Sequence, residues 1–154
     1  MAAFRRPALL SALAAAALLA GCGDDAEQVS AEELVGRGDE LCGEGRQRFE
    51  EIQGEPPANA GEALEQSEEL VEVASDELSE LRRLRPPEEL RERYDDYLEA
   101  RGRALELLEQ GRDAASDRDA AGYSEAQTRL AADEGERAKL ARAVGFRVCS
   151  ASGD

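Results

Sequence analysis

Apolar residues recur at intervals of three and four along four stretches of the chain, the period of an amphipathic helix. The first stretch opens on Ser30-Ala31-Glu32-Glu33, a capping box with Ser30 as N-cap and Glu33 at N3. Val29 and Leu34 occupy the hydrophobic-staple positions around it. Leu34, Leu41, Gly45, Phe49 and Ile52 then trace one stripe, which predicts a helix to about Gln53. Gly36, Gly38, Gly43 and Gly45 interrupt it, each weakening a helix by up to about 1 kcal/mol relative to Ala. Two readings follow: a partly frayed helix, or a close crossing where neighbouring backbone leaves no room for Cβ.

Pro56 and Pro57 stop the first helix, and a second runs from about Ala60 to Leu84. Its apolar positions Leu64, Ser67, Val71, Ala74, Leu78 and Leu81 make a heptad seam, which Leu70 and Leu84 widen. The Arg85-Pro86-Pro87 corner starts a third helix at about Pro87, buried through Leu90, Tyr94, Tyr97, Leu98, Ala104, Leu105 and Leu108. Glu89 with Arg93 and Glu99 with Arg103 are i,i+4 pairs on its solvated face. Gly111 to Gly122 is a weaker junction. A fourth helix follows from Ala120 or Tyr123 to Val144, through Ala126, Leu130, Ala131, Ala138 and Ala141. Gly145 stands where a left-handed C′ residue is wanted, with Phe146 placed to fold back on Ala141 and the tail after it lying on the bundle. Four helices of similar length with short connections predict an all-α, antiparallel up-down four-helix bundle forming one domain, residues 30–154.

Composition tests that expectation. From Cys22 onward, Leu, Val, Phe and Ile number 23 of 133 residues, a share typical of disordered chains. The sustained periodicity outweighs it, because alanine supplies helix propensity and close packing where large side chains are scarce. Asp and Glu number 35 against 19 Lys and Arg, a formal charge of -16, which disfavours nucleic acid and anionic lipid surfaces.

Residues 1–21 stand apart from the domain. Arg5 and Arg6 precede an apolar run, Ala8 to Ala20, broken only by Ser11; it has signal-peptide length and is too short to span a bilayer. It ends in Leu19-Ala20-Gly21-Cys22, which resembles the lipobox of bacterial lipoprotein precursors. The resemblance implies cleavage after Gly21, a diacylglycerol thioether on Cys22 and an acylated amino terminus. The diacylglycerol alone brings two acyl chains, enough to hold the protein on the bilayer, at the extracytoplasmic face of the cell membrane. Residues 22–29 become the lipidated cysteine and a short acidic tether, and the formal charge moves to -18 with the loss of Arg5 and Arg6. The Leu-Arg-Pro-Pro corner at 84–87, the closing Ala-Arg-Ala-Val-Gly-Phe-Arg-Val-Cys at 141–149 and 18 Arg against a single Lys139 extend the likeness. The chain resembles small uncharacterised helical lipoproteins of high-GC Gram-positive bacteria, a likeness that carries no catalytic residues.

With Cys22 committed to lipid, Cys42 and Cys149 remain in an oxidising compartment, and a disulfide between them is expected. Two free thiols or an intermolecular bridge are the alternatives. Cys42 lies about 18 Å along the axis from Ser30, and the steps from Gly145 to Cys149 span about 13 Å when extended. An up-down bundle puts both at one end, so the geometry permits the bridge.

Candidate chemistry is sparse. The chain has no His, which removes a His base for a Ser or Cys nucleophile and the Glu-x-x-His ligands of ferritin-like bundles. No Asp or Glu stands inside a clearly apolar face, so no acid–base pair of divergent pKa is expected. The expectation is a protein with no enzymatic activity, catalytic residue, cofactor or metal site. Glu62, Glu65, Glu69, Glu72, Asp76 and Glu80 form an acidic face on the second helix, read as solvated and able to meet a basic envelope protein. Asp117 to Glu125 resembles the start of an EF-hand loop, but Ala121 and Thr128 stand where ligands are needed, and a helix cap is the better reading.

These features favour a membrane-tethered, non-catalytic extracytoplasmic module serving protein interaction or structure. The alternative is a lipoprotein that binds a small molecule or divalent cation, as a capture or sensor component. A binder should carry an internal pocket with converging polar groups; an adaptor should carry an exposed apolar groove.

Overall fold

The protein is described here by a computed structural model of residues 28–151, so the expected signal segment, Cys22 and most of the expected tether lie outside the described residues. Four helices follow in order: α1 (Ala31–Ile52), α2 (Ala60–Arg83), α3 (Arg91–Ser116) and α4 (Ala120–Val144), with a 3-10 turn, Glu88–Leu90, leading into α3. Consecutive helices pack against one another as an up-down bundle. α1 and α4, the two outer members, have no comparable seam along their lengths.

The ends of the helices follow their local chemistry. Ser30 Oγ accepts from Glu33 N at 3.1 Å, while the Glu33 carboxylate turns to Arg37 at 3.2 Å, so only half of the capping box forms. Val29 and Leu34 are both buried. Asn59 and Asp119 cap α2 and α4. The junction before α4 is shorter than its glycines predict, because Gly111 stays helical inside α3. A Cβ there would reach only ordinary contact, 3.7 Å, with that of Ala126, so the glycine lies at an α3–α4 crossing and not at a break. Gly145 adopts φ 110°, and Phe146 N donates to Ala141 O at 3.0 Å, closing a Schellman motif. Before α1 the chain is pinned to the α2–α3 corner by Val29 N donating to Arg85 O at 3.0 Å.

Two apolar clusters make the core. One, at the end where α1 begins and α4 finishes, gathers Leu34, Leu81, Tyr94, Tyr97, Val144 and Phe146. Its three rings pack edge to face or tilted at 5.3 to 6.5 Å, and Tyr94 donates its hydroxyl to Leu81 O at 2.6 Å. The second, toward the far end, is built on Leu70, Ala74 and Leu108. The α1 glycines resolve differently from one another. A Cβ on Gly38 would collide with the Phe146 ring and one on Gly45 with the Glu77 carboxylate, whereas Gly36 faces open space. What fills the space at Gly38 and Gly45 is a ring and a carboxylate, not the neighbouring backbone that a close helix crossing predicts.

Candidate functional site

The missing α1–α4 seam leaves a cleft whose floor is α2 and α3 and whose lips are α1 and α4. It has two chambers. The first, about 220 Å³, lies beside the C-terminal tail; the second, about 420 Å³, extends toward the far end over Ala74, Leu105 and Leu108. Arg46, Phe49, Arg101, Glu134 and Arg137 line both. Of two α4 residues expected in the core, Leu130 is half-buried against the Leu70–Ala74–Leu108 cluster at the edge of this opening, whereas Ala131 is exposed.

The first chamber is floored by a carboxylate whose burial the sequence does not foretell. Glu77 leaves 7% of its side chain exposed and meets Arg101 at 2.5 Å, with Arg101 22% exposed. This corrects the expectation that no acidic residue is set inside an apolar face: Val73, Ala74 and Leu78 around it are all buried. Gly45 explains how it fits, since the absence of a Cβ on α1 leaves the space that the carboxylate occupies. Desolvation raises the Glu77 pKa above 4.5, and the Arg101 charge and hydrogen bond pull it back. Burial likewise pushes the Tyr97 hydroxyl up to about 12, the Arg101 charge opposing.

Cys42 and Cys149 are joined by a disulfide, their Cα atoms 5.1 Å apart, at the wall of the same chamber. Cys42 Sγ carries no hydrogen once oxidised and accepts from Tyr97 Oη at 3.4 Å. The tail is held by more than the bridge. The Asp39 carboxylate accepts from three consecutive backbone N–H groups, those of Arg147 (3.0 Å), Val148 (2.8 Å) and Cys149 (3.2 Å). Arg46 donates to Val148 O. Arg137 Nη1 reaches Asp133 at 2.8 Å on α4 itself. Guanidinium groups from α1, α3 and α4 thus line the same polar belt as Glu77, which pairs with that of Arg101.

The other candidates fall outside this belt. All six residues of the acidic α2 face are exposed, and Glu80 pairs with Arg83. Asp119 Oδ1 accepts from Ala121 N and Gly122 N, both at 3.1 Å, so it is engaged as a cap. On α3, Glu99 and Arg103 pair at 3.1 Å, whereas near its start Arg91 pairs with Glu88. Among the described residues no cluster of Cys, Asp and Glu is arranged to hold a metal ion, and no helix is long and apolar enough to cross a membrane. No known protein-family model, curated protein or solved structure matches the chain.

Proposed function

We propose that the protein is a lipid-anchored, non-catalytic extracytoplasmic module that captures a small ligand in the cleft between α1 and α4. The observation that carries this reading is the buried Glu77–Arg101 pair at the cleft floor, with Arg46 and Arg137 on its lips. A bundle short of large apolar side chains gains nothing in stability from a buried ion pair, since apolar residues of similar volume do as well or better there. Charged groups gathered around an opening, with apolar side chains such as Phe49, Leu105 and Leu108 among them, are what a small-molecule site requires. The anchor is supported by the Leu19-Ala20-Gly21-Cys22 motif and the short acidic tether. Protein purified from its native envelope and released under denaturing conditions should yield one small molecule in a fixed ratio to protein, read by mass spectrometry. Yield unchanged in a Phe49→Trp variant, which fills the opening, refutes the cleft as its site. Cys22→Ala should abolish incorporation of labelled fatty acid; undiminished label refutes the anchor.

The exposed acidic face of α2 supports a second reading, docking to a basic envelope protein. Crosslinking in the native membrane, compared with a variant carrying Glu65→Gln, Glu69→Gln and Glu72→Gln, tests it. A capture pattern that ignores those changes removes it.

A further inference from the structure

We infer that the cleft takes a small zwitterion with an apolar side chain, of the size and chemistry of a free amino acid. The inference rests on the cleft being the ligand site proposed above. Simpler ligand classes each meet an obstacle. An anion approaches a chain of formal charge -16 and finds Glu77 and Glu134 lining the same opening as the arginines. A cation faces three guanidinium groups there. A wholly apolar molecule would strip water from the polar belt and return no hydrogen bonds. A molecule carrying both signs avoids all three, because it has no net charge for the protein's field to repel and brings a partner for each sign of the belt.

The groups have capacity to spare. A guanidinium has five N–H donors; Arg46 uses Nη2 on Val148 O and Arg137 uses Nη1 on Asp133 and, at 3.4 Å, Leu130 O. Their remaining donors suit a carboxylate held between the two lips. Glu77 receives Arg101 on Oε1, and a carboxylate has about four lone-pair positions, which leaves acceptor capacity for an ammonium group. The larger chamber, about 420 Å³, shares its arginines with the belt, and its apolar part over Ala104, Leu105 and Leu108 has room for a branched or aromatic side chain. The tail closes the opposite end through Val148 and Cys149, so ligand length is limited on that side.

The test uses the full lipid-anchored protein in nanodiscs, with empty nanodiscs as blank and ligand-observed saturation-transfer NMR as readout. The probes are L-leucine, 4-methylpentanoate, which lacks the amine, and 3-methylbutylamine, which lacks the carboxylate. Leucine should saturate a single site, and each truncated analogue should bind about 10-fold more weakly or worse, because a site built for hydrogen bonding rejects a ligand that leaves its groups unpaired. Arg46→Gln and Arg137→Gln should each weaken leucine about 10-fold and bind the amine as tightly or more tightly, since a repelling guanidinium is gone, while exposed Arg93→Gln has no effect. Leucine affinity should change less than about 2-fold on raising monovalent salt tenfold, as expected of a ligand without net charge. If 4-methylpentanoate binds as tightly as leucine, the zwitterion assignment is wrong and the ligand site stands. If none of the three saturates, the assignment is wrong, and the envelope-purified protein then decides the site by whether it carries another molecule. Should Arg137→Gln fail to fold by circular dichroism, Arg46→Gln and the analogue series decide the result.

Discussion

Replacing Asp39 with Asn should loosen the C-terminal tail while leaving the four helices in place. In the wild-type chain, Asp39 Oδ1 accepts from Arg147 N, Val148 N and Cys149 N, and Oδ2 accepts a second contact from Arg147 N at 3.0 Å. An Asn of the same shape keeps one oxygen and turns an NH2 toward the Arg147 N–H, donor against donor. The two bonds that survive become neutral ones, each worth roughly 1 kcal/mol less than a bond to a charged acceptor. The loss is about 4 kcal/mol for the oxidised protein, about 2 from the two weakened bonds and about 2 from the Arg147 bond, the unfolded chain being bridged in wild type and variant alike. For a domain of this size that lowers Tm by about 12–20 °C. Denaturant unfolding gives the free energy, and hydrogen exchange read by NMR gives the location: protection should fall at residues 147–149 and persist in α2 and α3. Asp76→Asn, on the exposed acidic face, is the control and should shift stability by less than about 0.5 kcal/mol. If Asp39→Asn moves stability no further than Asp76→Asn, or the amides of 147–149 stay protected, the carboxylate does not hold the tail.

Other expectations separate neighbouring causes. Gly38→Ala should destabilise by about 1–3 kcal/mol through overpacking against Phe146, whereas Gly36→Ala, facing open space, should stabilise by up to about 1 kcal/mol; paired thermal melts decide. Reducing Cys42–Cys149, which closes a separation of 107 residues, should lower stability by up to about 5 kcal/mol with helicity retained at low temperature, measured by circular dichroism with and without reductant. Glu77 gives a pH signature: its pKa is raised in the folded chain, so folding takes up a proton, and the ionised group opposes folding until pH falls through its folded pKa toward 4.5. Wild type should therefore gain more stability than Glu77→Gln on acidification from neutrality toward 4.5, and equal slopes would show that the burial cost is absent.

The four helices were legible because their signals are local. Ser30, the Pro56-Pro57 break and Gly145 with Phe146 each act within a few residues of the boundary they set. The cysteine pair was legible from counting, since Cys22 has a separate use in the lipobox reading. The heptad seam of α2 was placed partly off its true centre: Val71 is half-buried, and Val73 and Glu77 are inside. Glu77 stands in heptad register with Leu70 and Leu84, which marks an inward position, but its charge argues against one; what settles it inside is Arg101, 24 positions away on another helix, and a missing Cβ at Gly45. Asp39 is invisible for a similar reason, because its partners are backbone amides 108 to 110 residues distant, which carry no side-chain pattern. The cleft is assembled from Arg46, Arg101 and Arg137, one from each of three helices, and only the absence of an α1–α4 seam brings it into being.

The bridge between α1 and the tail also determines how the molecule bears tension. A pull applied through residue 28 enters α1, crosses at Cys42 to Cys149 and leaves by the segment beyond it. Only the first 12 residues of α1 lie on that path; α2, α3, α4 and the cleft wall beyond Cys42 hang from it as an unloaded loop. Stretching the oxidised protein between its two ends should lengthen it by no more than the short segments outside the bridge and the opening turns of α1. The same pull on reduced protein should release the 107-residue span and unravel the bundle. A pull between residues 28 and 151 would thus bypass the cleft between α1 and α4 for as long as the Cys42–Cys149 bond survives.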